Sequence, residues 1–290
     1  SHLPSHLSPS HYLTNVQYAT LCEIMGHSTI APEACNCNAP DTGNMEVLLK
    51  HGTPAQQTQY LQPLLEGTIR SAFLMTEPEV ASSDATNIET KLRKVVVDGT
   101  VGYVLSGRKW WSTGAMDPRC KVAFVLAKMD YSEVVVEGGG EGGDASANHG
   151  LHTVVIVPIS KTQLIRPLTV FGYDDAPHGH AEVNLPSIPL SPTSLILGES
   201  RGFEIAQSRL GPGRIHHCMR AVGLAQRCYD LMLQRVIQRR TFGKYLHEHG
   251  GCQDTISECC NDLQAARLLT MECARRIDEV GADGARGEIA

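Results

Sequence analysis

The pattern of apolar and polar residues changes twice along the chain. Up to about residue 67 the apolar positions recur at helical spacing, and two stripes are expected to face a core. These stripes are Tyr18, Leu21, Ile24 and Met25, and then Met45, Leu48 and Leu49. Thr53 and Pro54 followed by Gln56 form a capping-box pattern, which predicts a further helix that runs to about Leu65 and stops at Gly67.

Short runs of β-forming residues replace the helical spacing in residues 68–198. Four such runs are 94–97, 101–105, 121–128 and 152–157. Asp98 and Gly99, between the first two runs, are a strong hairpin signal. Several short strands at this spacing predict an antiparallel sheet or barrel rather than alternating β-α-β units. The acidic, glycine-rich stretch 134–150 predicts a solvated loop insertion.

Helical spacing returns in residues 199–290, where two long stripes are expected to be buried. The first is Ile215, Cys218, Met219, Val222, Gln226, Cys228, Tyr229, Met232 and Val236, and the second is Ile256, Cys259, Leu263, Ala266, Cys273, Ile277 and Val280. Pro212 predicts the start of the first long helix and Gly243 its end. The order of helices, sheet and long helices predicts an α+β fold with domains at 1–67, 68–198 and 199–290.

Composition narrows the class of protein. With 25 Lys and Arg against 31 Asp and Glu, the chain has a net charge of −6, which argues against non-specific nucleic-acid binding. No apolar run approaches the roughly 18 residues of a membrane span. The ten cysteines show no C-x-x-C pair, so we expect reduced thiols and no metal site. No secretory signal is visible. Because the first residue is not Met, we expect the chain to be a fragment.

Two clusters in the first two segments carry candidate chemistry. Residues 73–84 run from an apolar strand end into a turn dense in hydroxyls and acids, which suits either ligand recognition or a structural turn. Residues 107–114 contain both tryptophans, Trp110 and Trp111, which suit either a planar ligand or an aromatic core pair. No G-x-G-x-x-G or Walker loop is present, so a Rossmann-type nucleotide site is not expected.

Two further clusters lie in the third segment. Residues 211–214, at the predicted start of the long helix, suit an anion or a simple helix cap. From Arg209 to Lys244 eight Lys and Arg stand against one acid, which suits phosphate groups or a solvated helix face. His216 and His217 point in different directions on a helix, so we expect packing or capping rather than metal binding.

In their order and spacing these clusters resemble the acyl-CoA dehydrogenase family of flavoproteins. The resemblance is greatest to the dehydrogenase domains of family members 10 and 11. It rests on MTEPEVASSDATN (75–87), GRKWWSTG (107–114), RPLTVFG (166–172), LGPGRIHH (210–217) and RRTFGK (239–244). It implies an N-terminal helical domain, a middle antiparallel β-barrel and a C-terminal helical bundle, with both helical parts incomplete in this chain.

The resemblance also implies binding residues. FAD would be bound by Phe73, Met75, Thr76, Ser82, Ser83, Trp111, Ser112, Thr113, Arg239 and Phe242. The acyl-CoA substrate would be bound by Ser83, Gly211, Pro212, Gly213 and Arg214. Thr76 would bond the edge of the isoalloxazine ring, Trp111 would pack on the flavin, and the Thr113 hydroxyl would approach flavin N5. Arg239 and Phe242 would reach the FAD of a neighbouring subunit, which implies a homodimer or homotetramer.

The implied reaction is the α,β-desaturation of acyl-CoA thioesters in fatty-acid β-oxidation. A carboxylate base would remove the α-proton while flavin N5 accepts the β-hydride, and electron-transfer flavoprotein would receive the electrons. The family places this base either just before Arg214, where this chain has Gly213, or beyond Ala290, so the catalytic base is unassigned. The compartment would be the mitochondrial matrix or the peroxisome, or the cytoplasm of a bacterium.

Two alternatives to this function stay open at the level of the sequence. The first is a catalytically incomplete fragment or isoform that lacks the base and acts only in binding or oligomerisation. The second is a nucleic-acid-binding flavoprotein, which the basic run permits and the acidic net charge disfavours.

Overall fold

The protein is described by a computed structural model, in which residues 13–81, 84–97, 100–132, 151–175 and 177–289 are placed. The chain divides into two compact units. The helical unit combines Ser1–Cys37 with Leu210–Ala290, and the sheet unit is Asn38–Arg209. The predicted hairpin turn at 98–99 and the predicted loop at 134–150 lie outside the described residues. The three domain boundaries proposed from the sequence stay a prediction.

The secondary structure follows the predicted order of helices, strands and long helices. The helices are α1 (Asn15–Gly26), α2 (Ala31–Ala34), α3 (Asp41–His51), α4 (Pro54–Gln56), α5 (Gln62–Leu65), α6 (Gly202–Gln238), α7 (Gly250–Gly284) and α8 (Arg286–Ile289). The strands are β1 (Arg70–Leu74), β2 (Lys91–Val97), β3 (Thr100–Thr113), β4 (Cys120–Asp130), β5 (His152–Pro158), β6 (Gln163–Leu168), β7 (His180–Leu190), β8 (Arg240–Thr241) and β9 (Lys244–Tyr245).

Seven strands of the sheet unit form one sheet in the order β1-β4-β2-β3-β7-β6, with β5 also paired to β4. The fold class is therefore α+β, as predicted. The sheet differs from the prediction in being mixed, because β1 and β2 both pair with β4 in parallel while the other pairs are antiparallel. A parallel pair needs a long crossover, and the hairpin of β2 and β3 lies between β1 and β4 in the chain. Residue periodicity records which face a side chain occupies, but it does not record strand direction.

Strand β4 shows why the apolar run predicted at 121–128 is continuous. Val122 and Phe124 point into a core that also contains residues of α3, α5 and the first turns of α6. Ala123 and Val125 point into the core on the other face of the sheet. A strand that is buried on both faces reads as an unbroken apolar run, because neither set of alternate positions needs to be polar.

The capping box that opens α4 is confirmed. The Thr53 hydroxyl accepts a hydrogen bond from the N–H of Gln56 at 3.2 Å, and the Gln56 side chain accepts one from the N–H of Thr53 at 2.9 Å. The helix continues through a π-helical turn at Gln57–Leu61 and ends at Leu65, at the predicted position. Gly67 then adopts a φ of 69°, which glycine adopts without strain.

The buried face of α1 differs from the predicted stripe. Leu21 and Ile24 are 43% and 63% exposed, so the prediction that they face a core is wrong. The buried residues of α1 are instead Ala19, Cys22, Met25 and Gly26.

The reason for this difference is a close approach between α1 and α6. A Cβ atom added at Gly26 would collide with the carbonyl oxygen of Arg220, and one added at Gly223 would collide with that of Glu23. Only small residues fit at such a contact.

Helix α6 begins earlier and ends earlier than predicted. It starts at Gly202 and continues through Pro212, so the prediction that Pro212 starts the helix is wrong. It ends at Gln238, before Gly243. The first turns of α6 belong to the sheet unit and are stabilised by packing within it. Ile205 and Ala206 are buried there, and Gly202 lies against the backbone of Thr153. This packing extends the helix upstream of its strongest local start signal.

The predicted stripe on α6 is only partly buried. Ile215, Met219, Val222 and Val236 are buried, whereas Cys218 and Cys228 are exposed, contrary to prediction. These two cysteines line an apolar groove of about 910 Å³ between α6 and α7 in the helical unit. None of the described helices carries a stretch long and apolar enough to cross a bilayer.

Candidate functional site

Two of the predicted clusters meet in the sheet unit, where the end of β1 lies beside β3. Thr76 Oγ1 donates a hydrogen bond to the carbonyl oxygen of Trp110 at 2.6 Å. The N–H of Trp110 donates to the carbonyl oxygen of Thr76 at 3.0 Å. The residues around Thr76 and those around Trp110 are therefore parts of one surface rather than two separate turns.

A buried ion pair supports this junction from below. Lys109 Nζ donates to Glu77 Oε1 at 2.8 Å and to the carbonyl oxygen of Met75 at 2.9 Å. The Glu77 carboxylate also accepts the backbone N–H groups of Glu89 and Thr90 at 2.6 and 3.0 Å. The lysine side chain has no exposed surface and that of the glutamate has 4%. The backbone at Met75, Glu89 and Thr90 is thus held by hydrogen bonds to buried charges.

The two partners of this pair respond to burial in opposite ways. Burial lowers the pKa of Lys109 to about 8, although Glu77 beside it acts in the other direction. Burial also opposes the ionisation of Glu77, but the Lys109 ammonium and the hydrogen bonds from Thr90 and Glu89 hold the pKa of Glu77 below its ordinary value. The glutamate is therefore ionised near neutral pH.

Strand β3 carries a bulge at the tryptophan pair. Its register with β7 shifts between Lys109 and Ser112, and Trp111 adopts a φ of 48°. A positive φ is costly for a bulky residue, so the surrounding structure must hold it. Trp111 is 43% exposed as a result. Ser112 is buried, and its Oγ has no hydrogen-bond partner among the described residues.

Thr113, at the end of β3 beyond the bulge, is the first of three polar side chains in contact. The other two are His180, at the start of β7, and Asp175, in the loop before β7. Thr113 Oγ1 lies 3.0 Å from His180 Nδ1, and His180 Nε2 lies 3.2 Å from Asp175 Oδ2. The His180 ring also contacts Trp111 edge-on, with 5.8 Å between the ring centroids. The Thr113 hydroxyl is therefore oriented by a histidine that itself contacts a carboxylate.

Arg209, which opens the predicted basic run, belongs to the sheet unit. Its guanidinium lies 4.1 Å from the centroid of the Phe73 ring, and its Nε donates to Asn44 Oδ1 at 3.3 Å. Burial lowers the pKa of Arg209 to about 10, while Glu46 acts against this shift. The first member of the run is therefore a partly buried cation over an aromatic ring rather than part of a solvated helix face.

Two arginines and a glutamate form a cluster on strands β3, β6 and β7. The Glu182 carboxylate accepts hydrogen bonds from Arg166, at 2.7 Å, and from Arg108. The hydrogen bond from Arg166 is the largest of the contributions that lower the pKa of Glu182, and Arg108 adds to it. These contacts tie β3, β6 and β7 together beside the bulge.

The sequence did not single out Glu77, Lys109, Asp175, His180 or Glu182. One signal was available, because Tyr103, Leu105 and Lys109 lie at odd positions of the same strand and the first two are apolar. A lysine on the apolar face of a strand indicates a buried, paired charge. The partners of His180 had no comparable signal, since they come from a loop and from another strand.

Three of the predicted residues of the helical unit, Arg214, Arg239 and Phe242, are exposed. Arg214 lies inside α6, and Arg239 follows the end of that helix. Phe242 is 97% exposed at the tip of the β8-β9 hairpin, where its φ is 50° and that of Gly243 is 82°. Ser82 and Ser83 lie outside the described residues. The helical unit therefore presents the side chains of Arg214, Arg239 and Phe242 on its surface.

The prediction that residues 211–214 lie at the start of the long helix is wrong. These residues lie about two and a half turns inside α6 and not at its start, so their backbone N–H groups do not form a helix N-terminus. His216, two residues further, packs edge-on against Tyr18 with ring centroids 4.4 Å apart. Burial and the nearby Arg220 lower the pKa of His216 to about 4, so this histidine is a neutral packing residue near neutral pH.

Comparison with known proteins identifies the class. The model for the acyl-CoA dehydrogenase middle domain matches residues 72–185, and the model for the acyl-CoA dehydrogenase C-terminal domain matches residues 200–290. The chain belongs to the acyl-CoA dehydrogenase family, which confirms the resemblance seen in the motifs.

The relatives of the chain include the two family members that the motifs resemble, members 10 and 11. The chain is 47% identical over 281 residues to acyl-CoA dehydrogenase family member 11 of Gallus gallus, and 46% identical over 280 residues to family member 10 of Mus musculus. It covers 34% and 25% of those proteins, and each match covers 96% of the chain. A solved Mycobacterium abscessus structure assigned to the acyl-CoA dehydrogenases has a TM-score of 0.85 and 42% identity, covering 96% of this chain and 64% of that one.

Proposed function

We propose that the protein is an FAD-dependent oxidoreductase that desaturates the α,β carbon–carbon bond of acyl-CoA thioesters. The observation that carries the proposal is the junction of β1 and β3. There Thr76 is hydrogen-bonded to Trp110, directly beside the exposed Trp111 and the Thr113 hydroxyl. Thr76, Trp111 and Thr113, which are proposed to contact the flavin ring, therefore belong to one continuous surface of the sheet unit.

The side chains of this surface suit a flavin. The buried Ser112 Oγ has no hydrogen-bond partner within the described part of the chain, and a buried hydroxyl without a partner costs about 1–3 kcal/mol unless a ligand or water satisfies it. The exposed indole of Trp111 offers an apolar face for a planar ring. FAD, when bound, would supply the acceptor for a hydride, which no side chain of this chain can provide.

Each residue at the junction has a role in this proposal. Thr76, Met75 and Phe73 would hold one edge of the ring, and the ion pair beneath Thr76 would keep that backbone fixed. Trp111 would exclude water from one face, and Thr113 would offer its hydroxyl to N5. Ser82 and Ser83 are also proposed to bind FAD, and Ser83 the substrate as well.

The helical unit is proposed to bind the substrate and a second subunit. Gly211, Pro212, Gly213 and Arg214 would border the acyl-CoA, with Arg214 attracting its negative charge. Arg239 and Phe242, exposed on the surface, would reach the FAD of a neighbouring subunit in a homodimer or homotetramer. The proposal assigns no catalytic base within this chain.

The partners of the reaction are also part of the proposal. Electron-transfer flavoprotein would accept the electrons, and the substrates would be fatty acyl-CoA thioesters of β-oxidation. The reaction would take place in the mitochondrial matrix or the peroxisome, or in the cytoplasm if the source is bacterial. Since the chain spans about a third of the length of family member 11, these properties are proposed for the whole protein.

The test is the flavin spectrum of the full-length protein. We expect purified protein supplied with FAD to acquire the visible absorbance of bound oxidised flavin, and an acyl-CoA thioester to bleach it without oxygen. A protein that stays colourless after incubation with FAD would refute the proposal. A protein that binds FAD but is not bleached by any acyl-CoA would favour the alternative of a catalytically incomplete form.

The Thr113 hydroxyl gives a sharper version of this test. We expect Thr113→Val to slow flavin reduction by roughly tenfold, the value of one hydrogen bond of about 1.4 kcal/mol, with little loss of stability. Thr162→Val is the matched control, because Thr162 donates to Ile159 in a surface turn of the same unit. Equal reduction rates for the two variants would remove the role assigned to Thr113.

A further inference from the structure

We propose that Lys109 is a positioning residue of the FAD site, because it holds the peptide between Met75 and Thr76 with the Thr76 N–H free to donate to the flavin ring. This proposal rests on the proposed function, in which Thr76 holds one edge of that ring. It gives a role in the redox chemistry to a buried lysine that neither the motifs nor the family comparison singled out.

The Met75 carbonyl points toward a fully buried amine. Lys109 Nζ lies 2.9 Å from this oxygen and 2.8 Å from Glu77 Oε1, and the lysine side chain has no exposed surface. A carbonyl oxygen only accepts hydrogen bonds, so Nζ donates to it whether the amine is charged or neutral. The direction of the Met75 carbonyl is therefore fixed from the interior of the sheet unit.

The direction of the Thr76 N–H follows from the planarity of the peptide bond. In a trans peptide the carbonyl of one residue and the N–H of the next point in opposite directions in the same plane. The bond between Met75 and Thr76 is trans, so the Thr76 N–H points away from Lys109. This N–H donates no hydrogen bond to any of the described residues.

The other polar groups of Thr76 are already used. Its carbonyl oxygen accepts from the N–H of Trp110 at 3.0 Å, and its hydroxyl gives its single hydrogen to the Trp110 carbonyl at 2.6 Å. Because that carbonyl can only accept, the direction of the hydroxyl is also fixed. The backbone N–H is therefore the donor that Thr76 has left for a ligand.

A donor at this edge distinguishes the two redox states of a flavin. The carbonyl oxygens of the flavin ring become more negative when the ring is reduced, and a hydrogen bond to a more negative acceptor is stronger. An N–H that donates to such an oxygen therefore binds reduced FAD more tightly than oxidised FAD. Because the state that is bound more tightly is favoured, this contact raises the reduction potential of bound FAD.

The test is the reduction potential of FAD in the full-length protein, measured by titration with dithionite beside a reference dye. Lys109→Met alone leaves Glu77 buried without its cation and should destabilise the sheet unit. The better variant is the double substitution Lys109→Met with Glu77→Gln, which removes both charges and releases the Met75 carbonyl. It should reduce the preference for reduced FAD about tenfold, which lowers the potential by about 30 mV for a two-electron couple.

Two controls separate positioning from charge and from general loosening. Glu77→Gln alone removes a negative charge and keeps the hydrogen bond from Lys109 to Met75, so it should not lower the potential. Lys94→Met with Glu199→Gln removes a partly buried ion pair elsewhere in the sheet unit and should keep the wild-type potential. A fall in either control as large as that in the Lys109 and Glu77 double variant would overturn the proposal.

The infrared carbonyl bands of bound oxidised FAD report the hydrogen bond directly. An N–H donor lowers the stretching frequency of a carbonyl, so one band should lie lower in the wild type than in the double variant. Wild-type bands that match flavin in an aprotic solvent would overturn the proposal without any variant, and so would a double variant with wild-type bands and potential. In these cases FAD is still bound, so the proposed function stands. A wild-type protein that binds no FAD would instead refute the proposed function, and this proposal with it.

Discussion

The sheet unit and the helical unit present their proposed site residues in different ways. In the sheet unit, Thr76 and Thr113 are each held by a side-chain hydrogen bond, and a fully buried ion pair of Lys109 and Glu77 lies beneath them. In the helical unit, Arg214 and Phe242 are exposed on a helix and on a hairpin tip.

This difference indicates two kinds of task. A ring that must react at one atom needs contacts fixed to within a fraction of an ångström, which buried hydrogen bonds provide. A flexible charged ligand or a second subunit can be met by exposed side chains that order on contact. Both tryptophans belong to the sheet unit, so their fluorescence follows that unit, whereas far-UV circular dichroism mainly follows the long helices.

The largest expected effect of a substitution on the free energy of unfolding is in the sheet unit. Lys109→Met leaves the Glu77 carboxylate buried without its cation, and we expect a loss of about 3–5 kcal/mol in the free energy of unfolding. Urea unfolding followed by tryptophan fluorescence measures it. Lys50→Met, which removes a half-exposed partner of Glu46, is the control and should have a much smaller effect. Similar losses for the two variants would mean that the buried pair does not support the junction.

A smaller effect is expected at the helix crossing of the other unit. Gly223→Ala adds a Cβ where the carbonyl oxygen of Glu23 lies, and we expect a loss of about 1–3 kcal/mol, seen mainly in the circular-dichroism transition. Gly213→Ala is the matched control in the same helix, because open space surrounds Gly213. It should be neutral or stabilising by up to about 1 kcal/mol. Two variants with equal stability would contradict the close approach of α1 and α6.

The smallest expected effect is the pH dependence that Glu77 gives the sheet unit. Its pKa in the folded state is lowered from an unfolded value of 4.5, so its stabilising contribution is complete above that pH. The contribution is lost as the pH falls through the lower, folded pKa. The effect is small because burial opposes the ion pair and hydrogen bonds that lower the pKa.

The measurement is fluorescence-monitored unfolding of the wild type and Glu77→Gln at pH values from about 3 to 6. The stability of the variant should fall less steeply with acid than that of the wild type, since it has no carboxyl at this position. If both proteins lose stability with the same slope, Glu77 is not the group that titrates.

Much of the fold was predictable because its signals are local. The Thr53 capping box joins residues three positions apart, and the unbroken apolar run of β4 is visible within a few residues. The start of α6 was not predictable, because it follows the packing of Ile205 and Ala206 rather than the nearest proline. The residues of the candidate site also differ in how far the sequence predicted them. Trp111 and Thr113 stood out as motif residues, whereas His180 did not.

The sequence by itself determined the α+β order, the family and the stretches proposed to bind FAD. Those properties depend on residue type and on spacing along a few turns of chain. Only the tertiary structure decided that Lys109 is paired with Glu77, that β1 runs parallel to β4, and that Asp175 and His180 lie behind Thr113. The physical reason is that Lys109 and Glu77 are 32 residues apart and His180 and Thr113 are 67 apart. Contacts at such separations are fixed by strand pairing and burial, which local patterns do not encode.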